Sequence, residues 1–128
     1  MSDGTELGKV RGLGSAKEGT HHWIVQRMTA VSNLLLGLWL FASLVLLPSL
    51  DHWAVIGWLA QPFVAIPMIL FLVSVFSHLR LGLQVLIEDY VHDEGLKFAS
   101  LMIVNFYAIA GGVFGIFCVA KIGFGGVL

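Results

Sequence analysis

Charged side chains are scarce in this chain of 128 residues, making up 12% of it, against roughly 25% in soluble domains. With 58% hydrophobic residues and a mean hydropathy of +0.91, the chain cannot clothe itself in solvated groups, which excludes an ordinary soluble domain. A basic excess is also lacking. Seven Lys and Arg against eight Asp and Glu leave a formal charge of −1, so nothing is available to neutralise a run of phosphates, and nucleic-acid binding is excluded. The single cysteine, Cys118, lies in an apolar stretch. It rules out an internal disulfide and any cysteine-cluster metal site built by this chain alone, so redox chemistry would need a borrowed cofactor.

What the chain does have is long charge-free runs. Residues 28–50 and 98–120 each give 23 positions without Asp, Glu, Lys or Arg. As helices they would reach roughly 35 Å, enough for a hydrocarbon core of about 30 Å. A third run, 52–79, is broken by Pro62 and Pro67, while its apolar pattern continues past Arg80 to Ile87. The middle helix is therefore expected at about 62–89, with Pro62 in its first turn, where a missing N–H does no harm, and Pro67 bending it. Segments of this length fit helices rather than barrel strands. The expected fold is an all-α membrane protein of three transmembrane helices, forming a single domain over 1–128.

Basic residues set the expected orientation. Lys9, Arg11, Lys17 and Arg27 precede the first span, and Arg80 and Lys97 lie around the second connection, whereas the first connection, 48–61, has none. The N-terminus and the 90–97 connection are thus expected on the cytoplasmic or matrix side. Trp23, Trp53 and Trp58 fall near span ends, where indole rings prefer to lie. Residues 1–27 read as an arm on that same side, and its first 20 residues carry five glycines, mixed charges and no apolar run. Neither a secretory signal nor an acid-poor presequence matches it.

Polar residues in the middle helix carry the functional information. Steps of three and four from Ser74 give His78, Gly82, Val85 and Asp89, a single stripe that should look into protein rather than lipid. His78 and Asp89 are about 16 Å apart along the axis. The glycine one turn beyond His78 would let a flat macrocycle approach the backbone, which suits an axial haem ligand. A lone histidine on an apolar face is more often a hydrogen-bonded packing residue, so spacing alone leaves both roles open. His21, His22, His52 and His92 lie near or beyond the span ends, so a second axial histidine would have to come from another chain. Tyr90 could donate its phenolic O–H to a carbonyl of a lipid-soluble ligand with Asp89 in support, or simply anchor the interface. Gly95 reads as a turn residue. The small pairs Ala108/Gly112 and Gly111/Gly115 would admit a neighbouring helix, either a partner's or the first span, and Asn105 could hydrogen-bond across that interface.

Gly12-Leu13-Gly14-Ser15-Ala16, His22-Trp23, Gln26-Arg27-Met28-Thr29-Ala30-Val31, His78, Gly82-Leu83-Gln84-Val85 and Asp89-Tyr90-Val91-His92-Asp93 occur in an order that resembles the hydrophobic membrane anchor of succinate dehydrogenase. The similarity covers the chain, and the arm points to the alphaproteobacterial or mitochondrion-like branch. It implies a membrane component of succinate:ubiquinone oxidoreductase, respiratory complex II, packed with the helices of a second anchor and devoid of activity by itself.

The resemblance also assigns roles. His78 falls where the family places an axial ligand of haem b, the other ligand belonging to the cytochrome b anchor. Tyr90 takes the position that hydrogen-bonds ubiquinone, with Asp89 as the supporting acid. Arg27, His21 and His22 become candidate contacts to haem propionates, and none of these residues is catalytic in its own right. FAD would reside in the flavoprotein partner and the iron–sulfur clusters in the iron–sulfur partner. The implied location is a bacterial inner membrane in preference to a mitochondrial one. A cofactor-free anchor, a small proton carrier using His78 and Asp89, and the equivalent anchor of a fumarate reductase are the alternatives. Arg80 departs from the family pattern and turns away from the iron side, toward a partner or the inner headgroups.

Overall fold

A computed structural model describes residues 17–125. They form four helices: α1, Lys17–Leu46; α2, His52–Leu59; α3, Pro62–Tyr90; and α4, Glu94–Gly123. Three are long and apolar enough to cross a membrane: α1 from Gly19 on, α3 and α4. The all-helical expectation of three spans is thereby met, and Gly12 to Ala16 of the family-like arm lie outside the described residues.

The ends of the helices differ from the expected windows, and each shift has a local cause. α1 begins at Lys17 instead of 28, because helix formation does not stop where charge appears. The Arg27 guanidinium lies 5.4 Å from the Trp23 ring centroid one turn earlier, a cation–π contact that keeps the charged turn helical. α4 starts at Glu94 because Asp93 caps it, its Oδ1 accepting the Leu96 N–H at 2.7 Å. Gly95 therefore belongs to the first turn of a helix rather than to a loop. The α3–α4 connection shrinks to 91–93. Pro62 sits in the first turn of α3 as expected, and the helix continues through Pro67.

The first connection, expected as a plain link, contains a helix. In α2 the Trp58 ring stacks on Trp39 of α1, with centroids 6.2 Å apart and planes at 23°. α2 also packs against α3 and α4, so this short segment fastens one end of all three spans. Eight mostly apolar residues cannot cross a bilayer, but they can lie along its boundary.

α3 is the hub. Both α1 and α4 pack against it, and among the described residues they do not pack on each other. α4 meets α3 through its glycines: a Cβ on Gly111 would come within 2.7 Å of Phe76 Cε1, and one on Gly115 within 3.2 Å of a Leu72 methyl. The small pairs are thus filled by the chain's own middle helix, neither by the first span nor by a partner. Within this chain the side-chain N–H of Asn105 donates to the Leu101 carbonyl at 2.8 Å on the same helix. Among the described residues the buried apolar core consists of Val64, Ala65, Leu81, Ala108, Val119 and Ile122. Large apolar side chains such as Phe63, 90% exposed, point outward all round, a surface that only lipid or other proteins can cover.

Candidate functional site

The polar stripe of α3 meets a matching stripe on α1, Gln26, Thr29 and Asn33, spaced by three and four residues so that all share one face. Thr29 is the node. Its hydroxyl lies 2.9 Å from the Val25 carbonyl and 3.0 Å from the Gln26 carbonyl of its own helix. The same oxygen is 3.1 Å from His78 Nδ1. Ser74, only 8% exposed, donates its hydroxyl to the Thr29 backbone carbonyl at 3.2 Å. Ser74 and His78, one turn apart, therefore grip one residue of α1 from both sides.

Gly82 has the role of close approach in a different form from the one expected. A Cβ there would sit 3.8 Å from Gln26 Nε2, so the space beside it is taken by an amide of α1 and is not left bare for a macrocycle. The Oε1 of Gln26 and the Oδ1 of Asn33 are buried without a hydrogen-bond partner. Acceptors left unpaired inside a membrane bundle are expensive. Toward the Tyr90 end the stripe emerges: Val85 and Asp89 are no longer buried in this chain, and Tyr90 beside them is open to the surroundings.

Tyr90 closes α3 and is 75% exposed. Twelve residues of helix put it roughly 18 Å along the axis from His78, so the fold holds two separate features. One is an imidazole set in a polar seam; the other is an acid–phenol pair at a helix end. Between them runs a cleft of about 720 Å³ lined by Gly19, His21, His22 and Val25 of α1 and by Arg80, Gln84 and Glu88 of α3, among others. Both arm histidines line the same cleft as Arg80, and Arg80 also lines cavities between α3 and α4. Arg27 rests over Trp23 instead of lining this cleft. Thr29, Gln26 and Asn33 as a group escape the reading of the sequence alone. Their signal is the same periodic spacing that marks α3, carried by three uncharged polar side chains.

Among the described residues no three His, Cys, Asp or Glu side chains converge as a metal cluster. A single imidazole fits iron whose equatorial ligands come with a macrocycle better than it fits a bare ion.

Comparison with known proteins bears on the whole arrangement. Residues 1–112 match the family described as succinate dehydrogenase/fumarate reductase transmembrane subunit. The chain belongs to this family. It is 35% identical over 104 residues to the succinate dehydrogenase hydrophobic membrane anchor subunit of Rickettsia bellii strain RML369-C, covering 81% of this chain and 83% of that one. The corresponding protein of Rickettsia conorii is 32% identical over 105 residues with the same coverage. The succinate dehydrogenase membrane anchor subunit of Reclinomonas americana is 31% identical over 104 residues, 73% of this chain and 80% of that one. These relatives fit the alphaproteobacterial or mitochondrion-like branch that the arm motif suggested. Together with the three apolar helices they make this a multi-pass membrane anchor.

Proposed function

We propose that this anchor works within succinate:ubiquinone oxidoreductase, where His78 is an axial ligand of haem b and Tyr90 with Asp89 forms part of the ubiquinone-reduction site. The observation that carries the reading is the engagement of His78 Nδ1 by Thr29, because a histidine held through one ring nitrogen offers the other to a metal. When bound, the haem supplies a one-electron centre within the membrane. The resemblance implies that a second ligand would come from the cytochrome b anchor, which agrees with His78 being the histidine within the middle of a span here. His21 and His22, which line the same cleft as Arg80, present hydrogen-bonding groups suited to haem propionates. Arg27, resting over Trp23, is a further candidate contact for the propionates.

At the end of α3, Tyr90 donates its O–H to a quinone carbonyl, and Asp89 holds that hydroxyl or hands protons from the aqueous side. Its exposure in the isolated chain is what a pocket completed by the iron–sulfur partner and the cytochrome b anchor requires. Succinate oxidation belongs to the flavoprotein partner, with FAD, and this chain alone has no activity. Basic residues around both the N-terminus and the α3–α4 connection support a cytoplasmic position for those ends in a bacterial inner membrane. The equivalent anchor of a fumarate reductase is the second reading, because the family description covers both enzymes.

Gentle detergent purification tests this. Co-elution of the flavoprotein, the iron–sulfur protein and the cytochrome b anchor, a reduced-minus-oxidised spectrum of b type and succinate-dependent quinone reduction are expected. Purification of the chain without partners or haem would contradict the proposal, and fumarate reduction dominating over succinate oxidation would favour the second reading.

A further inference from the structure

A threonine hydroxyl has one proton to give and two lone pairs to receive. Two of the neighbours of Thr29 Oγ1, the carbonyls of Val25 and Gln26 at 2.9 and 3.0 Å, can only accept. If the proton pointed at His78 instead, the hydroxyl oxygen would face both carbonyl oxygens lone pair to lone pair. The proton therefore goes back along α1, as hydroxyls in helices commonly do, and the third neighbour must be the donor. That neighbour is His78 Nδ1 at 3.1 Å. A neutral imidazole carries one N–H, so Nε2 is left with its lone pair free.

We propose that Thr29 is the positioning residue for His78, its hydroxyl accepting Nδ1–H and thereby fixing both the tautomer and the ring plane in which Nε2 is presented to the haem iron. The inference rests on His78 being an axial ligand. The back-bond to Val25 immobilises an already stiff β-branched side chain, and Ser74 secures the same residue through its backbone carbonyl at 3.2 Å. The acceptor cannot drift without α1 moving relative to α3. An axial imidazole that donates to such an acceptor is a more basic ligand and favours the ferric iron.

The test uses the assembled complex carrying Thr29→Val, Thr29→Ser or Ser74→Ala. Valine keeps the shape and deletes the hydroxyl. The expected result is a haem b midpoint potential displaced in the positive direction and altered g-values in the low-spin ferric EPR spectrum. Serine restores both, and Ser74→Ala, which frees the Thr29 backbone carbonyl but leaves its hydroxyl in place, shifts them less than Thr29→Val does. Wild-type potential and g-values in Thr29→Val overturn the proposal. Should the valine variant fail to assemble or lose its haem, serine decides: unaltered values uphold the role of the hydroxyl, and a shift or loss overturns it. His78→Leu in the same set separates the two levels of argument. Retention of a normal haem there defeats the ligand assignment itself, whereas its loss beside an unchanged Thr29→Val defeats only the part given to Thr29.

Discussion

The contact between α3 and α4 makes a prediction that two adjacent residues can decide. A methyl group at Gly111 would stand 2.7 Å from Phe76 Cε1 and 3.1 Å from Cζ, where ordinary carbon contacts lie at about 3.5–4.0 Å. Either Phe76 leaves its rotamer or α4 retreats. Overpacking of this kind costs about 1–3 kcal/mol, a factor of roughly 5 to 150 in an equilibrium constant. At Gly112 the added methyl meets Phe76 at 3.7 Å, an ordinary contact, so Gly112→Ala should be close to neutral in packing. Purified complex carrying either variant would be heated in detergent, and the fraction surviving at full size measured by size-exclusion chromatography. Gly111→Ala should lower the midpoint clearly and Gly112→Ala should not, and Phe76→Leu combined with Gly111→Ala should recover part of the loss. Equal behaviour of the two glycine variants would refute the packing argument.

Three further outcomes are expected. Tyr90→Phe keeps the ring and removes the O–H, so succinate–quinone reductase activity should fall while succinate-dependent dye reduction is kept; equal activity in both assays would remove the quinone role. Asp93→Ala deletes the cap on α4, where its Oδ1 accepts from Leu96 N at 2.7 Å. It should destabilise the complex by about 0.5–2 kcal/mol, read as a lower thermal midpoint, with Asp93→Asn recovering most of it. Trp58→Ala breaks the stack on Trp39 and should loosen the α2 end of the bundle, seen as faster proteolysis or hydrogen exchange in residues 47–61, while Trp58→Phe preserves protection.

The three spans are legible in the sequence because their signal is large: charge-free runs longer than a bilayer is thick leave a helix little alternative. Helix ends are not, since they depend on small local contacts. The side chain of Asp93 on Leu96 N and the guanidinium of Arg27 over Trp23 each extend a helix past the apolar window. α2 escapes notice because eight mostly apolar residues that include Trp53 and Trp58 satisfy a link, a strand or a short helix equally well. At the candidate site, the stripe Ser74, His78, Gly82, Val85 and Asp89 is expected to face protein; the first three turn toward α1, whereas Val85 and Asp89 are exposed. What it faces cannot be read from α3 alone. Periodicity gives direction and not partner, so the pairing of His78 with Thr29 and the amide of Gln26 beside Gly82 emerge only in three dimensions. The same holds for Gly111 and Gly115, where small residues announce a close neighbour without saying that it is α3.

The central claim is that the imidazole of His78, held by Thr29, ligates haem iron, and one spectrum tests it most directly. The assembled complex with His78→Leu should lose the b-type reduced-minus-oxidised bands or show them markedly shifted, with all its partner proteins still co-purifying. Full b-type absorbance of unchanged position in that variant would contradict the account and leave His78 as a packing residue.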